Sequence, residues 1–157
     1  GHNVAFTSLW DNYPDSLEIP LKGKASRAYL LMAGSTNHMQ CHIDNGVIRI
    51  YYKDGTRDVM FLRNPDNWPP IEHIFFEDGL AFNRHTPALY RLRLKTGEIS
   101  NNFGEELGFP GASRELDGGA AVLLEMPLNP GKKLSHLVLE TLSNDVVIGL
   151  MSITLQR

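Results

Sequence analysis

Two turn-forming dipeptides, Asn45-Gly46 and Asp54-Gly55, divide the stretch from His38 to Arg63 into three runs rich in β-branched and aromatic residues. Asn, Asp and Gly reach positive φ at little cost, so such pairs between such runs predict hairpin turns. The stretch therefore reads as a three-stranded antiparallel meander that anchors the fold. A two-residue turn at Asn45-Gly46 would pair Ile43 with Ile48, Cys41 with Ile50 and Met39 with Tyr52, and all six would share one face. The second turn admits two forms. A two-residue turn or a three-residue loop with a bulge directs either Val59 and Phe61, or Met60 and Leu62, inward.

The remaining segments are also short and strand-like. Val4 to Ser8 and Leu17 to Leu21 are expected strands, with Pro20 suggesting an edge or a bulge. Arg27 to Ala33 is apolar on both faces, as a central strand covered on two sides would be. Ile71 to Phe76 is expected to be extended and Glu77-Asp78-Gly79 to turn the chain. Leu89 to Lys95 alternates, with Tyr90, Leu92 and Leu94 predicted inward and Arg91, Arg93 and Lys95 outward. Thr96 to Gly119 reads as a long loop, because its one helical candidate, Glu105 to Leu116, is broken by Gly108, Pro110 and Gly111. Ala120 to Met126, Leu134 to Leu142 and Val146 to Leu155 are expected to close the chain as strands, the last two joined by Ser143-Asn144-Asp145 as a hairpin connection. No segment keeps a helical period over ten residues. About ten strands separated by turns predict an all-β, two-sheet antiparallel β-sandwich.

A chain of 157 residues is expected to be a single domain spanning 1–157, and it can bury a sizeable core without staples. It starts Gly-His-Asn without a signal peptide, and Gly1 reads as a tag-cleavage scar, so excision from a longer protein is expected. A formal charge of −3 provides no basic stripe for nucleic acid or an anionic membrane, and no apolar run approaches the roughly 20 residues of a membrane helix. Cys41 is the one cysteine, which excludes an internal disulfide and a Cys-rich zinc site. Its place between Met39 and Ile43 predicts a buried structural thiol.

Nucleotide-binding glycine fingerprints and the hydrolase G-x-S-x-G elbow are absent. Ala33-Gly34-Ser35-Thr36-Asn37 lacks a second glycine and a following helix, and reads as a strand-ending turn. His38 and His42 on one strand would stand ~13 Å apart, too far to share a metal ion, and His73, His85 and His136 are scattered. Asp11, Asp15 and Glu18 carry the hard oxygens a structural calcium would take, in a spacing that matches no EF-hand loop. No cofactor and no metal site are expected. Glu72, Glu77 and Asp78 are acids near one another in sequence, a weak basis for a glycosidase carboxylate pair.

The aromatic and polar loops are more informative. Trp10 and Tyr13 stand in the first, and Asn64, Asp66, Asn67, Trp68 and Glu72 in the second. Sugar rings lay their C–H faces on indole or phenol while Asn, Asp and Glu bond the hydroxyls at the rim. Trp68, Trp10 and Tyr13 are thus the expected stacking residues, and Asn67, Asp66 and Glu72 the hydroxyl partners. The competing reading makes Trp68, hemmed by Pro65, Pro69 and Pro70, a core plug under its own loop.

FTSLWDNYPD at Phe6–Asp15, YLLMAGSTNHMQ at Tyr29–Gln40, Asn64-Pro65 with Trp68-Pro69, and VVIGLMSITL at Val146–Leu155 together resemble the C-terminal β-sandwich of large exported Bacteroidetes glycosidase-like proteins of the DUF4450 type. The resemblance implies a galactose-binding-like jelly roll attached to a larger carbohydrate-active chain in the periplasm or at the cell surface, and it brings no catalytic residues. The expected function is a noncatalytic carbohydrate-binding accessory domain whose partners are carbohydrate, the parent's catalytic domain, or both. The alternatives are a structural packing module with no ligand of its own and a stand-alone glycosidase.

Overall fold

The computed structural model describes residues 4–37, 39–74, 83–103 and 114–157. Twelve strands run through them: β1 (Ala5–Ser8), β2 (Ser16–Pro20), β3 (Arg27–Thr36), β4 (Asp44–Tyr52), β5 (Arg57–Arg63), β6 (His73–Ile74), β7 (Arg91–Arg93), β8 (Ile99–Ser100), β9 (Arg114–Glu115), β10 (Ala120–Pro127), β11 (Leu134–Thr141) and β12 (Val146–Gln156). They form a six-stranded sheet in the order β1-β12-β3-β10-β7-β8, a four-stranded sheet in the order β2-β11-β4-β5, and the small pair β6-β9. Neighbouring strands are antiparallel, and no helix occurs among the described residues. The all-β, two-sheet architecture expected from the sequence is present. The turn expected at Glu77-Asp78-Gly79, the end of the extended run at Phe75 and Phe76, and most of the broken helical candidate from Glu105 lie outside the described residues.

Alternation along the strands explains the layers. Leu30 stands opposite Leu124, and Met32 opposite Val122 and Leu150, so one face of the large sheet is apolar across three strands. A bulge between Leu150 and Ser152 shifts β12 by one residue and brings Ile153 opposite Leu30 on the same face. The facing sheet contributes Ile48, Ile50, Leu62, Leu137 and Leu139, all fully buried. Burying such side chains is worth roughly 1.5–3 kcal/mol each, which makes this shared layer the main source of stability.

The first predicted hairpin is corrected. Asn45 and Gly46 lie inside β4, which pairs with β5 and β11, while 37–43 is a connection between the two sheets. Neither residue has positive φ, as a type I′ turn would require. Gly46 is there for space: a Cβ on it would stand 2.2 Å from Ile148 Cδ1 and 3.0 Å from the Glu140 carbonyl. Asn45 is buried for its hydrogen bonds, accepting from Thr36 Oγ1 at 3.0 Å and donating to the Gln40 carbonyl at 3.1 Å. Met39 and Ile43, predicted inward, are exposed, and Cys41 is only half-buried.

The second predicted turn holds. Tyr52 N donates to Thr56 O at 2.9 Å around Lys53-Asp54-Gly55, with Gly55 at φ 85°. This three-residue loop turns Met60 and Leu62 inward and leaves Val59 and Phe61 exposed. Strand β7 is inverted relative to expectation, with Arg91 buried and Tyr90 and Leu94 exposed. The connection at Ser143-Asn144-Asp145 is not the expected hairpin but a crossing between sheets, since β11 pairs with β2 and β4 while β12 pairs with β1 and β3.

Because Gly46 is set by packing between the sheets, Gly46→Ala should lower stability by about 1–3 kcal/mol. Urea denaturation checks this, and an unchanged midpoint would restore the surface-turn reading.

Candidate functional site

One end of the sandwich collects the loops of interest. The chain leaves β1, β3, β5 and β11 there and enters β2, β4 and β12, since Ser8 pairs with Val147, Thr36 with Val146, Thr141 with Gly46 and Glu140 with Ser16. Thr141 Oγ1 donates to Thr7 Oγ1 at 2.8 Å, tying the two sheets together at this end. The loops 9–15, 37–43, 64–72 and 142–145 therefore share it. Trp10 and Tyr13 belong to the β1–β2 side, and Asp66 follows β5 on the far side of the small sheet. Three strand spacings separate β2 from β5, roughly 14 Å, so one sugar ring cannot touch both groups.

Trp10 and Tyr13 are 51% and 40% exposed, with ring centroids 6.4 Å apart and planes at 59°. Their turn is closed by Tyr13 N donating to Trp10 O at 2.9 Å, and Ser8 N donates to Pro14 O at 3.1 Å beneath it. Ser8 Oγ donates to the buried Val146 carbonyl at 2.7 Å and accepts from Trp10 N at 3.3 Å. The exposed pair thus stands on a turn anchored in the core.

Trp68 does not join them. Its side chain is fully buried, and a Cβ on Gly34 of β3 would lie 2.7 Å from its Cζ2 and 2.8 Å from its Cη2. Its role as a stacking platform is corrected, because an indole packed on the β3 backbone presents no face to a ligand. The same segment continues across to the large sheet, where Ile71 N donates to Gly34 O at 2.8 Å and Ala120 N to Ile71 O at 2.8 Å.

Arg91, unflagged by the sequence, holds this crossing in place. Its buried guanidinium donates to the carbonyls of His73, of Pro70 at 2.9 Å and of Ala120 at 3.1 Å. Burial pulls its pKa down to about 10, opposed by the Glu72 carboxylate, so it remains charged at neutral pH. Nothing local could reveal it, since its acceptors come from residues 70–73 and 120.

The polar candidates divide by what already occupies them. Asn67 caps β5, donating from Nδ2 to Phe61 O at 2.8 Å and accepting at Oδ1 from Arg63 N at 2.7 Å. Those two bonds make its amide a backbone cap. Glu72 is half-buried, accepts from Leu116 N at 2.6 Å through its carbonyl, and faces Arg91 electrostatically. Asp66 is the exception. Its Oδ1 accepts from His85 N at 2.7 Å, and its Oδ2 lies 3.7 Å from His85 Nδ1 and 4.0 Å from His42 Nδ1.

His42, Asp66 and His85 form the one group of three metal-ligand side chains among the described residues, and Asp11, Asp15 and Glu18 form no such group. Sequence spacing missed it because each member comes from a different segment. His42 sits at φ 57° after the strand-like bridge between Cys41 and Asn64, with its N donating to Asn64 O at 2.8 Å. Asn64 Nδ2 reaches Cys41 Sγ at 3.4 Å.

The sequence matches no family model, no curated protein and no solved structure.

The two tryptophans should respond oppositely to truncation. Trp68→Ala is expected to cost about 3–5 kcal/mol, and Trp10→Ala to stay within about 0.5 kcal/mol, both read by urea denaturation.

Proposed function

We propose that the domain is a noncatalytic accessory module of an exported glycoside-hydrolase-like protein, a galactose-binding-like jelly roll that takes saccharide on Trp10 and Tyr13. The observation that carries this reading is an exposed aromatic pair fixed on a core-anchored turn. Surface aromatics held rigid lose little side-chain entropy on stacking, and their faces suit the C–H surface of a pyranose. The two ring planes are tilted, which suits adjacent rings of a chain better than one flat ring. The resemblance of the Phe6–Asp15 and Val146–Leu155 segments to exported glycosidase-like proteins supports the same reading, and periplasmic or cell-surface placement follows from it. Of the hydroxyl-bonding residues, Asp66 stays at the same end of the sandwich for a longer glycan.

A second reading, a packing module braced against the parent's catalytic domain, has its own observation. On the outer face of the large sheet, Phe6, Gly149 and Ala33 stand in one row and Ala121, Leu92 and Ile99 in another, with Leu31 opposite Leu123. Phe6, Leu123, Tyr90 and Ile99 are exposed there. Apolar sheet faces of this kind mark contact surfaces.

Affinity electrophoresis across soluble polysaccharides separates the two. Retention by at least one glycan, weakened about tenfold or more in Trp10→Ala and Tyr13→Ala, is the expected result. Retention that survives both substitutions contradicts the aromatic site, and no retention by a folded domain favours packing.

A further inference from the structure

We propose that His42, Asp66 and His85 bind one divalent transition-metal ion of the zinc class. The ligand atoms of the three side chains all lie within 4.8 Å of one another. Zinc–ligand bonds of ~2.0–2.2 Å in a tetrahedron place neighbouring ligand atoms about 3.4 Å apart. The Asp66 Oδ2 separations of 3.7 Å from His85 Nδ1 and 4.0 Å from His42 Nδ1 exceed that edge by about 0.3 Å and 0.6 Å. Small side-chain rotations would close the site around an ion.

The donor set selects the metal class. Two imidazoles and one carboxylate suit Zn, Co, Ni or Cu, whereas calcium and magnesium demand six or more oxygen ligands. The surroundings are those of a supported site. Asp66 Oδ1 is held by the His85 backbone N–H, which aims Oδ2 at the rings, and Thr86 Oγ1 donates to the Asp66 carbonyl at 2.8 Å. Outer hydrogen bonds of this kind orient ligating carboxylates in metalloproteins. His42 is fixed at positive φ by its bond to Asn64, and its ring lies 4.6 Å from that of His85. The side chains are 30%, 15% and 66% exposed for His42, Asp66 and His85, so an ion can enter and a water can complete its coordination. An ion pair between Asp66 and protonated imidazoles would use the same atoms. The two assignments differ in whether a metal is taken up.

The test uses the chain without a polyhistidine tag, stripped with chelator and titrated with zinc chloride by calorimetry and with cobalt chloride by visible absorption. One equivalent should bind, with the intense d–d bands of tetrahedral cobalt. His85→Ala and Asp66→Asn should each weaken zinc binding at least about tenfold. Asn at 66 keeps the Oδ1 acceptor and residue 85 is exposed, so both variants should retain the metal-free melting temperature. His2→Ala and His136→Ala should bind as the parent does. Absence of saturable binding assigns the cluster to an ion pair and overturns the proposal. Binding kept within about twofold in both His85→Ala and Asp66→Asn, or lost in His2→Ala alone, does the same.

Discussion

The Trp68 indole lies against the backbone of β3 at Gly34, closer than any residue with a Cβ would permit. This contact decides the path of the chain from the end of β5 to β6. With the indole seated, residues 64–72 must cross from the edge of the small sheet to the large one, and the backbone groups exposed by that crossing need partners. Gly34 and Ala120 partner Ile71, Leu116 N donates to the Glu72 carbonyl, and the Arg91 guanidinium donates to the Pro70 carbonyl. A buried cation costs free energy unless its donors find partners. Here backbone carbonyls take the two terminal nitrogens of Arg91, while its Nε makes no hydrogen bond among the described residues.

The crossing also sets the chemistry of the loop end. It places Asp66 beside the connection that carries His42 and against the backbone of His85. Trp68, the residue most suggestive of a ligand platform, serves as the plug that positions the others. The surface aromatics that remain, Trp10 and Tyr13, sit across the small sheet from Asp66. The two candidate sites are therefore separate, one aromatic and one metal-like, on a common end of the sandwich.

The sequence was readable where one physical cause controls a residue. β3, β10, β11 and β12 are legible as apolar strands because each packs a row of side chains on the core, and Gly55 marks a turn because its left-handed φ favours glycine. Asn45-Gly46 shows the opposite case. The same dipeptide serves close packing against Ile148 and a buried hydrogen-bond network, so a turn rule applied to it misplaces 39–43. β7 reads inverted from sequence because an arginine ordinarily faces solvent, while the acceptors that bury Arg91 lie far along the chain. The histidine cluster was hidden for a related reason: spacing rules test neighbours on one element, and its three members sit on three connections.

The most direct test of this account is acrylamide quenching of the single tryptophan left in a Trp10→Phe variant. A plug seated on Gly34 predicts blue-shifted emission from Trp68 and weak quenching in the folded protein, both abolished by urea. Red-shifted emission with free quenching in the native state would place the indole in solvent and contradict the account.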